Sequence, residues 1–184
     1  MRILFFSDVH GVPETLKRLL EKADELQAEQ LVLLGDALYH GPRNGVPGFY
    51  DPVQVAGMLN SVKEKLIAVR GNCDSEVDQM MLHFPVMSDF SELLADGQRF
   101  FLTHGHVWNA GNMPPLPNGT VLAHGHTHIP EITDHESGKI IFNPGSISLP
   151  KQNFMQTFGF FDGKTLSVRK LADGTELLSK VLQN

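Results

Sequence analysis

Residues 3–10 read Ile3-Leu4-Phe5-Phe6-Ser7-Asp8-Val9-His10, an unbroken apolar run that stops at an aspartate. A run so short and continuous suits a strand buried on both faces. The arrangement recurs twice: Leu31 to Leu34 ends at Gly35-Asp36, and Leu66 to Val69 ends just before Gly71-Asn72. Between these runs, Pro13 opens a helical pattern with Leu16, Leu19, Leu20, Ala23 and Leu26 on one face. Pro52 opens another with Val55, Met58, Leu59 and Val62. The order β-α-β-α-β predicts parallel strands joined by right-handed crossovers. In such sheets ligands bind beyond the carboxyl ends of the strands, which is where Asp8, Asp36 and Asn72 fall.

The second half reads as strands with short turns. Arg99 to Thr103, Thr120 to Ala123, Lys139 to Phe142 and Gln156 to Phe161 are the candidates, and Asp162-Gly163 and Asp173-Gly174 are hairpin signals. Thr175 to Leu182 fits a strand or a helix, with strand preferred. The sum is an α/β layered fold of two sheets, the first largely parallel and the second mixed. No repeat or linker divides the chain, so residues 1–184 are expected to form one domain.

Composition narrows the function. Hydrophobic residues make up 41% and charged residues 20%, and the formal net charge is -6. An acidic chain argues against general binding to nucleic-acid backbones. The single cysteine, Cys73, excludes an intrachain disulfide. No apolar run reaches membrane-spanning length, and the N-terminal run is too short for a signal peptide. The expectation is a cytoplasmic protein with no membrane partner.

Ligand-type side chains gather in five clusters, each after a strand-like run: Asp8-Val9-His10, Gly35-Asp36, Gly71-Asn72-Cys73-Asp74, Thr103-His104-Gly105-His106 and Gly125-His126-Thr127-His128. Asp and Asn also cap helices and make turns, but packing gives no reason for this set at successive strand ends. In extended backbone, Asp8 and His10 would point the same way, as would His126 and His128. Carboxylates, imidazoles and an amide oxygen suit Mn²⁺, Zn²⁺, Fe²⁺ or Co²⁺. Seven candidates (Asp8, His10, Asp36, Asn72, His104, His126 and His128) exceed the four of a tetrahedral zinc site. They suffice for two divalent metals if one aspartate bridges. Two such ions against two carboxylates leave a local charge of about +2, which would attract a phosphate ester.

The order D-x-H, G-D, G-N-x-D, H-G-H, G-H-x-H resembles the calcineurin-like metallophosphoesterase family. Gly71-Asn72-Cys73-Asp74 and Asn143-Pro144-Gly145-Ser146 resemble its small bacterial phosphodiesterase branch. The resemblance implies a four-layer α/β/β/α sandwich of two mixed sheets and a homo-oligomer, dimer or tetramer. It implies one metal on Asp8, His10, Asp36 and His128, and a second on Asp36, Asn72, His104 and His126, with Mn²⁺ first among the candidates. A hydroxide bridging them would attack phosphorus, with Asp36, Asn72 and His104 placing it. A small phosphodiester is the implied substrate. Phosphomonoester hydrolysis on the same site and a non-catalytic scaffold of the same fold are the rival readings. A metallo-β-lactamase pattern fails, because His124-Gly125-His126-Thr127-His128 lacks its aspartate.

One position departs from the family pattern. Many members carry a histidine directly after the asparagine, and Cys73 stands there. A thiol is a poorer proton donor to an alkoxide than an imidazolium. Asp74 then has no evident client, and His106, His40 or Arg43 is left to assist the leaving group. Arg43 suits bidentate phosphate contact, or it belongs to a solvated loop.

Overall fold

The computed structural model describes residues 1–182. Its elements run β1 (Ile3–Phe6), α1 (Pro13–Glu25), β2 (Gln30–Leu33), α2 (Pro52–Ser61), β3 (Leu66–Ala68), α3 (Glu76–Met81), β4 (Phe90–Ala95), β5 (Gln98–Thr103), β6 (Val121–Ala123), β7 (Glu131–Asp134), β8 (Ile140–Asn143), β9 (Thr157–Phe161), β10 (Thr165–Lys170) and β11 (Glu176–Val181). Two sheets form, in the orders β11-β10-β9-β1-β2-β3 and β4-β5-β6-β8-β7.

β1, β2 and β3 are parallel, as the crossover pattern predicts. The first sheet is nevertheless mixed, not largely parallel. β9, β10 and β11 extend it from β1 as antiparallel strands. The turns at Asp162-Gly163 and Asp173-Gly174 are too short for anything but antiparallel neighbours. In the second sheet β5, β6 and β8 are parallel, with antiparallel edges β4 and β7. Sequence reading missed α3, β4 and β7. β4 had a signal: Asp96-Gly97 turns into β5 with both residues at positive φ, 49° and 82°, as a two-residue hairpin requires.

The apolar run of β1 is continuous because each face meets a different layer. Leu4 and Phe6 join Leu16, Leu19, Val55 and Leu59 under the helices. Ile3 and Phe5 face the second sheet, packing with Phe100, Leu102, Val121 and Phe142. The two-sheet layering expected from the sequence stands. The cover outside the second sheet is thin: Trp108, Met113 and Leu116, from an irregular segment, pack on Phe101, Leu122 and Ile141. Trp108 therefore lies outside the second sheet and not in the cleft. Met80 is exposed at 82%, while Phe100, Phe101, Phe160 and Phe161 are core.

Phe142 locks the two sheets together. Its ring meets Phe5 edge-on with centroids 5.3 Å apart, and it abuts the backbone of Gly159 in β9. A Cβ at Gly159 would collide with that ring. Gly159→Ala is expected to lower stability by about 1–3 kcal/mol, the usual range for overpacking. Urea unfolding measures this, and an unchanged midpoint contradicts the assigned lock.

Candidate metal centre

The carboxyl ends of β1, β2 and β3 share one edge of the first sheet, and those of β5 and β6 share the facing edge of the second. The predicted residues meet there. Asp8 Oδ1 lies 3.7 Å from His10 Nε2 and 3.3 Å from His128 Nε2. Asp36 Oδ2 lies 3.7 Å from His10 Nε2 and 3.5 Å from His104 Nε2. Asn72 Oδ1 is 3.0 Å from His104 Nε2. Among the described residues three tight groups result, Asp8-His10-His128, His10-Asp36-Cys73 and Asp8-Asp36-His104, each with its ligand atoms within 4.8 Å of one another. His126 stands beside these groups, its ring edge-on to His104 at 5.1 Å.

The convergence does not come from extended backbone. Asp8, His10, Asp36, His126 and His128 all have positive φ, between 49° and 67°. Left-handed geometry costs a non-glycine residue roughly 1–2 kcal/mol, and such strain gathers at functional sites. Cross-links hold it. The amides of Asp8 and His10 donate to the carbonyls of Gly35 and Asp36. Ser146 Oγ donates to the Asp8 carbonyl, and the His126 amide donates to Asp8 Oδ2. Asn143 donates to the Gly125 carbonyl and to Thr127 Oγ1. The Asn143-Ser146 turn thus braces both the first and the fifth cluster. His124 is buried, its Nδ1 on the Gly125 carbonyl, away from the cleft.

The charge state of the rings follows from their second nitrogens. Nδ1 of His10, His104 and His128 meets the carbonyls of Tyr39, Leu34 and Leu149 respectively. A carbonyl only accepts, so each Nδ1 carries the proton, and a neutral ring turns a lone pair on Nε2 towards its neighbours. His10 and His128 then present lone pairs to each other across 3.4 Å. Among the described residues, buried Asp8 Oδ1 has no hydrogen-bond partner. Acceptors facing acceptors in a buried site favour a positive charge, whether a metal ion or a proton. With protons alone to balance them, burial opposes charging of His104, but Asp36 and Asp8 prevail and push it up to about 9. Burial and the nearby His104 charge push His126 down to about 4. The donor set fits divalent metals of intermediate hardness.

A cavity of about 670 Å³ opens from this centre, lined by His10, Asp36, Asn72, Cys73, His126 and His128. Arg43 borders it, as does Lys151, which sequence reading missed because nothing near it resembles a motif. Lys151 is placed by its amide, which donates to the His128 carbonyl. His106 is exposed, its ring 5.4 Å from that of His104. His40 is wedged between Tyr39 and Tyr50 and is absent from the cavity wall.

Asp74 does have a client, contrary to the sequence reading. Its carboxylate accepts from the amides of Gly71, Asp36 and Ala37 at 2.7–2.9 Å, tying the ends of β2 and β3 together. Gly35 and Gly71 permit the approach, since a Cβ on Gly35 would come within 2.6 Å of the Gly71 nitrogen. Burial and the Asp36 charge push Asp74 up to about 6 against those amides. Cys73 donates its amide to Asp36 Oδ1 at 2.8 Å. Burial and Asp36 push its thiol up to about 12, so it stays protonated through pH 9 and is not a nucleophile. With metal chelated away, iodoacetamide at pH 8.5 should alkylate native Cys73 at least about tenfold more slowly than the unfolded chain, because thiolate is the reactive form. Equal rates would show that the thiol is not raised.

Comparison with known proteins agrees with this fold. Residues 1–165 match the Calcineurin-like phosphoesterase superfamily domain. The chain is 48% identical over 174 residues to Phosphodiesterase YfcE of Escherichia coli K12, covering 94% of each chain. It superposes on the structure of that E. coli phosphoesterase with a TM-score of 0.95 at 44% identity, covering 100% of both. The fold alone is shared with Vacuolar Protein Sorting 29 of Cryptosporidium parvum, with a TM-score of 0.64 at 18% identity over 100% of this chain and 98% of that one. The match over residues 1–165 and the 48% identity over 94% of the chain place it in the calcineurin-like phosphoesterase superfamily.

Proposed function

We propose that this chain is a metal-dependent phosphodiesterase acting on small phosphodiesters through a dinuclear centre. The clustered ligand atoms carry the reading: imidazole nitrogens, two carboxylates and an amide oxygen converge, and Asp8 Oδ1 is left without a hydrogen-bond partner. Asp8, His10, Asp36 and His128 would hold the first metal, and Asp36, Asn72, His104 and His126 the second. Asp36 would serve both, because its Oδ2 lies 3.7 Å from His10 Nε2 and 3.5 Å from His104 Nε2. Mn²⁺ is the first choice of metal, with Zn²⁺, Fe²⁺ and Co²⁺ admitted by the same donors. The relative at 48% identity is named a phosphodiesterase, which supports a diester over a monoester.

When bound, the metals supply a nucleophile from water at neutral pH and positive charge for the phosphoryl oxygens. Hydrolysis adds water across one P–O bond, so the hydroxyl goes to phosphorus and the proton to the departing oxygen. Asp8 and Asp36 hold the ligand charge, and Asp74 keeps the Asp36 and Asn72 loops in register. Arg43 and Lys151, exposed at the cavity wall, draw in the anionic substrate. Cys73, with its thiol near 12, is a weak acid beside the site, so leaving groups that need no proton are favoured. A homo-oligomer belongs to the same proposal, and the exposed Phe90 and Leu94 of edge strand β4 offer it an apolar surface. A cytoplasmic location does too, in keeping with the unpaired Cys73. Among the described residues, no helix is long and apolar enough to cross a membrane.

A panel of aryl diesters and the matching monoesters, run with Mn²⁺, tests the reaction class; the diester should turn over faster. Asp36→Asn should reduce that turnover by at least about 10²-fold, the scale of losing one strong electrostatic contact to the transition state. Full activity in this variant would remove the bridging role. Cys73→His should flatten the dependence of rate on leaving-group acidity, because an imidazolium can protonate a poor leaving group. An unchanged slope refutes the assignment to Cys73.

A further inference from the structure

The cavity lining is of two kinds. One part is the metal cluster with Arg43 and Lys151. The other comprises Leu38, Tyr39 and Tyr50 from the segment after β2 and Val77 and Met81 of α3. The metal chemistry makes no use of this second set. From these walls, the geometry points to a subsite for a flat aromatic ester group of the diester, held between the tyrosines and α3 while the phosphate sits on the metals. This inference rests on the phosphodiesterase reading and names the substrate class within it.

Three observations carry the assignment. First, the tyrosine wall is fixed relative to the metal cluster. The carbonyl of Tyr39 accepts from His10 Nδ1 at 2.8 Å. At the other end of the loop, the Asp51 amide donates to the Gly11 carbonyl at 2.8 Å, and the Tyr50 ring lies so close over Gly11 that a Cβ there would clash. A wall pinned at both ends to the His10-Gly11 turn can orient a ring against the reacting phosphorus. Second, the wall is aromatic: Tyr39 and Tyr50 flank the His40 ring at centroid distances of 4.7 and 5.3 Å, and Tyr39 is 41% exposed. Exposed aromatic rings gain from stacking on another ring. Third, the lining is of mixed character. Asn44, Ser75 and Asp78 share the walls with the apolar groups. A flexible alkyl chain would cover those polar atoms without replacing their water, whereas a flat ring can rest on the apolar groups and leave the polar atoms hydrated. About 670 Å³ lies within the range of small-molecule sites.

Binding of non-hydrolysable phosphonates to the Mn²⁺-loaded protein, read by calorimetry, tests the subsite without turnover. Phenylphosphonate should bind at least about fivefold more tightly than methylphosphonate, and more tightly than hexylphosphonate, which matches its carbon count without a ring. Val77→Asn on one wall and Tyr39→Ser on the other should each bring the phenyl-to-methyl ratio below about twofold. Circular dichroism checks that both variants fold, and the two lie on separate elements, so one misfolded variant leaves the other to decide. A wild-type ratio near one, hexyl binding as tight as phenyl, or a ratio kept in the variants overturns the subsite. Binding of neither small phosphonate removes the phosphate site and the subsite with it. A phenyl preference in a protein that fails to hydrolyse any aryl diester would instead leave the subsite and overturn the phosphodiesterase reading.

Discussion

Three imidazole rings spend one nitrogen each on a backbone carbonyl, and the rest of the cleft depends on it. Tyr39, Leu34 and Leu149 supply those carbonyls from three different segments. The bonds fix the tautomers, aim the free nitrogens inward and make the interior a shell of acceptors. Such a shell is unfavourable in a protein of low dielectric until positive charge enters it. Affinity for a cation is therefore set by the positions of carbonyls that never touch it, a role known for outer partners of metal ligands.

The architecture explains how so many acceptors are held together. Parallel strands in both sheets deliver their carboxyl ends to one place, and tight left-handed turns fold the ligand side chains inward there. The backbone strain is offset by the two-sheet core, where Phe5, Phe100, Phe142 and Phe161 interlock. Rigid sheets and strained turns divide the work: the first give fixed anchor points and the second give aim.

Much of this could be read in the sequence. The strand ends could be found because a buried parallel strand leaves a continuous apolar run, and its termination is abrupt. The C-terminal strands β9 to β11 were visible as hairpins, but which sheet they joined depended on the place open beside β1, a tertiary fact. α3 spans only six residues, too few for a helical period to register. The left-handed turns at Asp8 and His126 are only weakly marked by residue type: aspartate and histidine are enriched at positive φ, yet most of them adopt negative φ. Asp74 looked idle because its partners are main-chain amides, which carry no sequence signature. Lys151 was invisible for a similar reason, being placed at the cavity by a backbone bond to His128.

The loop between Tyr39 and Tyr50 is fastened at both ends to the same turn beside His10, while Pro42 to Gly48 is half-exposed or exposed throughout. Anchoring and variation are thereby separated within a dozen residues. The stretch from Gly45 to Gly48, beyond Arg43 and Asn44 at the cavity wall, can take changes of length and side chain while the two tyrosines and the histidine beneath them hold position. A scaffold with that property can take on new ester groups without rebuilding its metal cleft.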